Sequence, residues 1–326
     1  MHCKPLRRRA DRLAAFLVAL AVLLRIEAVP LKAQETADAE KLRTLALELV
    51  NKARADNKLP PLQIGKDINE AARFHAADML RRNFYDHTSP EGKNVADRYQ
   101  KAGGSRWRIT AENIARCTGC DVSVKTVEDL QRGWMNSKGH RENILRQGIA
   151  QFGFSVVTAA GQPLYAVQTF TGPGVPNGLR PNEQPKRLSE SEVVAKALEL
   201  LNKERKQAGR PALMESPALT KAVRSLLPQK KLETLSLEQT GRVMDALPSS
   251  DRKEWAHLAI LAAACGGCGA EPTDIDVRTF VQQWLENGGN KAMVMNPGST
   301  HLGFALVASG QGKKIALAVL GKKQQK

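Results

Sequence analysis

Three short segments in the first half of the chain carry side chains suited to acid–base or metal chemistry. They are Asp-His-Thr-Ser-Pro-Glu-Gly at 86–92, Ala-Glu-Asn-Ile at 111–114 and Trp-Met-Asn-Ser-Lys-Gly-His-Arg-Glu-Asn-Ile-Leu at 134–145. They supply two imidazoles, from His87 and His140, and the carboxylate of Glu112. Two imidazoles and a carboxylate form a ligand set that suits zinc. The same groups are sufficient for acid–base chemistry, because a carboxylate can orient a histidine and stabilise its charge.

The second half of the chain repeats the first at an offset near 150 residues. Four separated blocks recur: Ala-Leu-Glu-Leu at 46–49 and 197–200, the C-x-x-C pairs Cys117/Cys120 and Cys265/Cys268, Trp134 and Trp284, and Gly153-Phe154 and Gly303-Phe304. This offset is too long for a solenoid unit and matches one whole domain. We therefore predict two copies of one fold. Residues that both copies keep are expected to hold the fold, and residues that one copy lost are expected to carry function.

The second copy lacks every candidate polar group. The correspondences are His140 to Asn290, Glu112 to Ile260, Tyr165 to Ile315, Gln168 to Ala318 and Phe170 to Leu320, and the loop of His87 has no counterpart. If these groups only supported the fold, the second copy would need them too. Their joint loss indicates that His87, Glu112 and His140 form one functional unit.

The three segments, together with Tyr-Ala-Val-Gln-Thr-Phe at 165–170, resemble the CAP superfamily. This family comprises cysteine-rich secretory proteins, antigen 5 and plant pathogenesis-related proteins, and the chain is most similar to bacterial exported members. The resemblance covers about residues 40–172. It implies an α+β fold, an α-β-α sandwich with helices on both faces of a largely antiparallel sheet. The second copy is then a degenerate domain of the same kind.

The resemblance also implies a central cavity that bears two histidines and two glutamates, of which His87, Glu112 and His140 match three. The fourth position falls in Asn136-Ser137, a departure that bacterial relatives share. We expect a ligand-binding cleft formed by His87, Glu112, Ser137, His140 and Gln168. In the family such histidines can hold a divalent metal, often zinc, so His87 and His140 are the expected metal ligands. Sterol or lipid binding and proteolysis are each known for some members.

Three functions remain open from these residues. The first is an exported binding or interaction protein whose partner is a lipid, a cell-wall polymer or an envelope protein. The second is a metal-dependent hydrolase, a protease or an enzyme that acts on cell wall or lipid, with His87, Glu112 and His140 as the catalytic candidates. The third is a structural envelope protein. The chain contains no Gly-x-Ser-x-Gly and no His-Glu-x-x-His motif, which favours binding over catalysis and leaves enzymatic activity undecided.

The N-terminus has the pattern of a secretory signal. Five basic residues in the first twelve precede an apolar run at 13–24, which is shorter than the roughly 20 residues of a membrane span. Removal of residues 1–33 would lower the net charge from +16 to +11, because this segment holds seven basic and two acidic side chains. We expect a secreted, periplasmic or cell-envelope protein that meets the membrane only through an uncleaved signal.

Basic residues do not cluster with aromatic ones, so we expect no nucleic-acid partner.

Cysteine usage fits an exported protein. Cys3 leaves with the signal, and each copy keeps one C-x-x-C pair, so we predict one disulfide within each pair. A zinc site built from all four thiolates and a thioredoxin-like redox pair are the alternatives.

The pattern of apolar residues predicts the remaining organisation. We expect a first domain at 36–172, a linker rich in proline and glycine at 173–190 and a degenerate domain at 191–322. Helices are predicted at 36–58, from Asp67 onward, at 122–135 and near 140–145, with strands at 152–157 and 164–170. His75 lies on the apolar face of the second helix and is expected to be a packed core histidine. Residues 84–104 are expected to be mostly loop. In the second copy, helices are predicted at 191–208, near 217–227 and at 274–286, with strands at 301–308 and 314–320.

Overall fold

The computed structural model of the chain describes residues 37–227 and 243–324. The secretory signal predicted at 1–33 lies outside the described residues. Among the helices that are described, none is both long enough and apolar enough to cross a membrane.

The described residues form two lobes that repeat one order of elements. The first lobe contains α1 (Ala37–Asp56), β1 (Gln63–Ile64), α2 (Lys66–Arg82), α3 (Val95–Lys101), β2 (Ile109–Cys117), α4 (Val124–Asn136), α5 (Lys138–Ile144), β3 (Gln151–Val157) and β4 (Leu164–Gly172). The second lobe contains α6 (Glu190–Gln207), β5 (Met214–Glu215), α7 (Pro217–Leu226), α8 (Val243–Ala246), α9 (Ser249–Arg252), β6 (Trp255–Cys265), α10 (Asp274–Glu286), α11 (Gly288–Val294), β7 (His301–Ala308) and β8 (Lys314–Lys323).

Both lobes build the same four-stranded sheet. The strand order is β1-β3-β4-β2 in the first lobe and β5-β7-β8-β6 in the second. The short strand of each sheet pairs in parallel, and all other pairs are antiparallel. Glu112 pairs with Thr169, and Ile260 pairs with Val319, which places Ile260 at the sheet position of Glu112. The predicted α+β fold, with two domains and largely antiparallel sheets, is confirmed.

Helices cover both faces of the first sheet because alternate strand residues point to opposite faces. On one face, Phe152, Ala166 and Phe170 pack with α1, α4 and α5. On the other face, Tyr165 and Val167 pack with α2. The sheet therefore lies between two helical layers, and residues 112 and 113 of β2 face different layers.

Two polar residues that both copies keep hold the end of the first helix of each lobe. The side chain of Asn51 accepts from the Leu62 N–H at 2.7 Å and donates to the Leu62 carbonyl at 3.0 Å, and Asn202 makes the same pair of bonds with Leu213. Arg54 and Arg205 are fully buried, and each donates to backbone carbonyls far along the chain. These shared residues hold the fold, as the comparison of the copies predicts.

The sequence pattern missed α3 and the strands β2 and β6. Residues 84–104 are mostly loop, as expected, but Val95–Lys101 within them is helical and begins with a capping box between Asn94 and Asp97. Glu112, for which the apolar pattern predicts no element, lies within β2. The strand was hidden because polar Glu112 and Asn113 occupy buried positions, which removes the alternation of apolar and polar residues by which strands are recognised.

Each C-x-x-C pair forms its own disulfide, Cys117–Cys120 and Cys265–Cys268, which confirms the predicted pairing. The segment predicted to be a linker is tied to the second lobe by isolated bridges from Gly174 to Cys268 and from Arg187 to Thr273. It therefore follows a fixed path along the protein rather than forming a free tether.

Gly153 is expected to be essential for packing β3 against α2. A Cβ atom at this position would lie 2.5 Å from the Asn69 Cα, whereas a Cβ at Gly133 in α4 would meet nothing within 4 Å. We expect Gly153→Ala to lower the free energy of unfolding of the first lobe by about 1–3 kcal/mol. Gly133→Ala should raise it by about 0.5–1 kcal/mol, since alanine favours a helix interior. Urea denaturation measures both, and equal stability of the two variants would contradict the packing.

Candidate functional site

The site is built around the buried carboxylate of Glu112. The side chain of Glu112 extends from β2 toward α2 and α3 and is 3 % exposed. Arg98 on α3 donates from Nη2 to Glu112 Oε2 at 2.7 Å, and His87 Nδ1 lies 3.0 Å from Glu112 Oε1. A buried charge is tolerated when it is paired and hydrogen-bonded. Both oxygens of Glu112 meet that condition.

Arg98 also fixes the loop that carries His87. Its Nη2 donates to the His87 carbonyl at 3.1 Å, and its Nη1 donates to the Lys93 carbonyl at 2.8 Å. The loop starts with a local turn in which the Thr88 N–H donates to the Asp86 carboxylate at 2.7 Å. One buried guanidinium thus holds both the acid and the backbone of the loop that faces it.

His87 is half exposed, and it is held by only one of its ring nitrogens. Its side chain is 53 % exposed. The hydrogen bond to Glu112 raises the pKa of His87 above its usual value, and burial opposes that rise. Because a carboxylate only accepts, Nδ1 carries the proton. Nε2 is then available as an acceptor or metal ligand in the neutral ring and as a donor in the charged ring.

His140 lies on α5 and is partly buried. Burial lowers the pKa of His140, and the nearby charge of His87 lowers it further. The two imidazoles are therefore close enough to act on each other electrostatically. The two pKa shifts have opposite directions, so His87 holds its proton more readily than a free histidine does and His140 less readily.

A row of buried amides supports the turn that carries His140. Asn113 donates from Nδ2 to the His140 carbonyl and to Gln168 Oε1, both at 3.2 Å. Asn143 donates to Asn113 Oδ1 at 2.9 Å and to the Glu112 carbonyl at 3.0 Å. Gln168 in turn donates to Gln131 Oε1 at 2.8 Å. Gln168, a predicted cleft residue, is thus fully buried in this row. It positions its neighbours through hydrogen bonds, and its side chain is not exposed to a ligand.

Ser137, the other predicted cleft residue, begins α5. Its N–H donates to the Gly133 carbonyl at 3.1 Å, while its side chain makes no capping bond with the helix. Ser137 therefore sets the angle between α4 and α5, and its partly exposed hydroxyl lies three residues before His140.

The second lobe replaces the whole amide row with apolar side chains. The correspondences are Asn113 to Leu261, Gln131 to Val281, Asn143 to Met293 and Gln168 to Ala318. Three of these, Leu261, Val281 and Ala318, belong to the core of the second lobe. The amides were lost together with the equivalents of Glu112 and His140, so they serve the site rather than the fold.

Sequence reasoning missed Arg98 and the contact that His75 makes with the site. His75 is fully buried as expected for a core histidine, yet its Nε2 lies 3.7 Å from Glu112 Oε1 and donates to the Asp86 carbonyl at 2.9 Å. Burial lowers the pKa of His75 and keeps the ring neutral. Arg98 was missed because α3 was missed. The capping box at Asn94 and Asp97 was the available signal for that helix.

The residues fit a metal ion only with water or a ligand completing its shell. No group of three or more His, Cys, Asp or Glu side chains suited to a metal occurs within 37–227 and 243–324. The oxygens of Glu112 are already bonded to Arg98 and His87. A histidine with one nitrogen on a carboxylate and the other free is nonetheless a common arrangement of metal ligands. His87 and His140 would therefore be the protein ligands, and Glu112 would orient His87. Two protein ligands are one fewer than most catalytic zinc sites provide.

The fold and the site together define a tandem α-β-α sandwich in which one lobe keeps a His-Glu site. The model of the CAP family, described as the cysteine-rich secretory protein family, matches residues 47–170 and 198–320. The chain belongs to this family, with one domain in each lobe.

Three relatives show how far the similarity extends. The Bacillus subtilis (strain 168) protein YkwD is 36 % identical over 111 residues, which are 34 % of this chain and 40 % of YkwD. The Bacillus subtilis membrane protein YlbC is 27 % identical over 139 residues, 41 % of this chain and 38 % of YlbC. A crystal structure of an extracellular protein containing an SCP domain from Bacillus anthracis is 29 % identical, covers 40 % of each chain and has a TM-score of 0.34. The chain thus spans about two fifths of the length of each curated relative.

We expect the amide row to be replaceable as a set but not singly. Asn113→Leu alone removes the hydrogen-bond partner of the His140 carbonyl and of the side chains of Asn143 and Gln168. Each buried polar group left without a partner costs about 1–3 kcal/mol. Introducing all four residues of the second lobe, as Asn113→Leu, Gln131→Val, Asn143→Met and Gln168→Ala, should recover much of that loss. Urea unfolding of both variants checks this. A fourfold variant less stable than the single variant would show that the row holds the fold itself.

The charge of Glu112 is expected to control the titration of His87. In metal-free protein, His87 should titrate above 6.5, and Glu112→Gln should lower its pKa because the charged partner that favours the protonated ring is gone. The His87–Glu112 bond therefore strengthens as pH falls through the pKa of His87. Proton–nitrogen NMR spectra of the imidazoles measure the shift, with exposed His257 as the internal control. A His87 pKa that is the same in both proteins would refute the contact.

Proposed function

We propose that this chain is an exported CAP protein whose first lobe binds a ligand at the His87–Glu112–His140 site. The observation that carries the proposal is the burial of Glu112 between Arg98 and His87 in one lobe, where the other lobe has Ile260. Burying an ion pair contributes little net stability. A pair retained in only one of two matching lobes is therefore better explained by what it does to His87 than by what it does for the fold.

The site presents chemistry suited to an oxygen-rich group. A protonated His87 donates from the exposed edge of its ring, and a neutral His140 offers both a donor and an acceptor. Lipid head groups, cell-wall polymers and the polar surface of an envelope protein all carry such groups. Export is supported by the N-terminal pattern and by the disulfide within each lobe, since disulfides persist in oxidising compartments.

A metal-dependent hydrolase is the second candidate, favoured by the bond between His87 Nδ1 and Glu112. That bond fixes the ring so that Nε2 stays free, as in histidines that ligate metals. A divalent ion held there would supply Lewis acidity and lower the pKa of bound water. For this function His87 and His140 hold the ion, Glu112 orients His87, and Arg98 holds the carboxylate of Glu112 in place.

Calorimetry with matched histidine variants tests the binding proposal. Wild-type protein is titrated with zinc, with lipid vesicles and with soluble cell-wall fragments. We expect at least one of these to bind, and His87→Ala and His140→Ala each to weaken that binding about tenfold or more, a change of roughly 1.4 kcal/mol. His257→Ala, an exposed histidine of the second lobe, is the control and should bind like the wild type.

The outcomes separate the candidate functions. Binding of vesicles or wall fragments without zinc supports the binding module. Binding of zinc followed by peptide or ester turnover that a chelator abolishes supports the hydrolase. Binding that survives both histidine substitutions, or no binding to any of the three, would refute the proposal and favour a structural role in the envelope.

A further inference from the structure

A groove lies between the end of α1 and the segment that joins the lobes, away from the His87 site. Its volume is about 870 Å³. One wall is formed by Arg54 and residues 58–60 and 146–148 of the first lobe, and the other by residues 174–185. Gly267 of the second lobe lines the groove as well. None of the residues of the His87–Glu112–His140 site borders it. The groove depends on the joining segment, so a single CAP lobe would not have it.

Three of the residues that line the groove are cations. Lys58, Arg146 and Arg180 border it, and none of them forms an ion pair within the described part of the chain. The one acidic side chain in its lining, Glu183, is bonded to Arg278, which donates from Nη2 to Glu183 Oε2 at 2.9 Å. That ion pair lowers the pKa of Glu183 to about 2. Glu183 lies close to Arg180 as well, but one carboxylate paired with Arg278 leaves the lining of the groove with a net positive charge.

Arg54 adds a fully buried guanidinium with one unused donor. Its Nε donates to the Pro60 carbonyl at 2.9 Å, and its Nη1 donates to the carbonyls of Ile144 and Arg146 at 2.9 and 3.1 Å. Its Nη2 is buried and lacks an acceptor. Leaving a donor of a charged group buried without a partner is costly, so such donors usually have one.

The second lobe supplies an internal control for this donor. Arg205 occupies the same position, and it makes the matching bonds to Pro211, Val294 and Asn296. Its Nη2 donates to the Ser299 carbonyl at 3.1 Å. The unused donor therefore does not follow from the fold, because it exists only in the lobe that borders the groove.

We propose that the groove binds the oxyanion groups, phosphate or carboxylate, of an extended acidic ligand. Lys58, Arg146 and Arg180 balance the charge of that ligand, and the buried guanidinium of Arg54 behind them adds a further positive charge. A water molecule could accept from Arg54, but it would leave three lining cations unbalanced. The open, elongated wall of residues 174–185 suits a chain of repeating acidic units better than a single ion.

Charge-matched variants test the proposal without disturbing Arg54, whose bonds hold the fold. The groove variant is Lys58→Gln with Arg146→Gln and Arg180→Gln. The control variant, Lys203→Gln with Lys206→Gln and Arg210→Gln, removes the same charge from exposed residues at the matching corner of the second lobe. Inorganic phosphate, pyrophosphate and digalacturonate are titrated by calorimetry at constant ionic strength set with chloride, after thermal unfolding has shown that both variants fold.

We expect at least one of the three probes to bind the wild-type protein. The groove variant should bind that probe at least tenfold more weakly, and the affinity of the control variant should stay within twofold of the wild-type affinity. Tighter binding of pyrophosphate would assign the ligand to phosphate polymers, and tighter binding of digalacturonate to acidic polysaccharides. NMR signals of the Arg54 side chain should shift with the bound probe while those of Arg205 do not. Equal weakening in both variants, or no binding of any probe, would overturn the proposal.

Discussion

The buried ion pair between Glu112 and Arg98 is the interaction on which the first lobe's site depends. A carboxylate with 3 % exposure requires a charged partner and hydrogen bonds to both oxygens. Arg98 supplies the partner, α3 supplies Arg98, and the same guanidinium holds the carbonyls of His87 and Lys93. Where Glu112 becomes Ile260, neither the arginine nor the histidine has a described counterpart. The acid, the helix and the loop therefore form one unit that is kept or lost together.

A single edge strand positions both imidazoles. Because neighbouring residues of a strand point to opposite faces, Glu112 faces α2 and α3, while Asn113 faces α4 and α5. Glu112 holds His87 through its side chain, and Asn113 holds the backbone of His140. β2 lies at the end of the strand order, so no strand of the described residues covers its outer edge. Two adjacent residues thus join segments that are 53 positions apart in sequence.

The fold was largely predictable from the sequence, and the site was predictable in part. Periodicity located α1, α2, α4, β3 and β4, and the repeat predicted the second lobe, because those elements bury apolar faces. It failed at β2 and α3, where the buried positions carry Glu112, Asn113 and Arg98 and the apolar pattern is interrupted. Those are the elements that form the site. The internal repeat could still have identified Asn113 and Gln131, since their counterparts Leu261 and Val281 are apolar. Arg98 had no such signal, because its helix has no counterpart among the described residues of the second lobe.

The second lobe contributes to the first even though it lacks a site of its own. The Gly267 N–H donates to the Trp107 carbonyl at 2.8 Å, and Lys313 lies 4.3 Å from the centre of the Trp107 ring. A Cβ added to Gly266 would lie 2.9 Å from that ring. Trp107 precedes β2 by two residues, so the disulfide loop of the second lobe packs against the start of the strand that carries Glu112. The disulfide loop of the second copy therefore supports the strand of the first site, although that copy has apolar residues where the first has Glu112 and its amides.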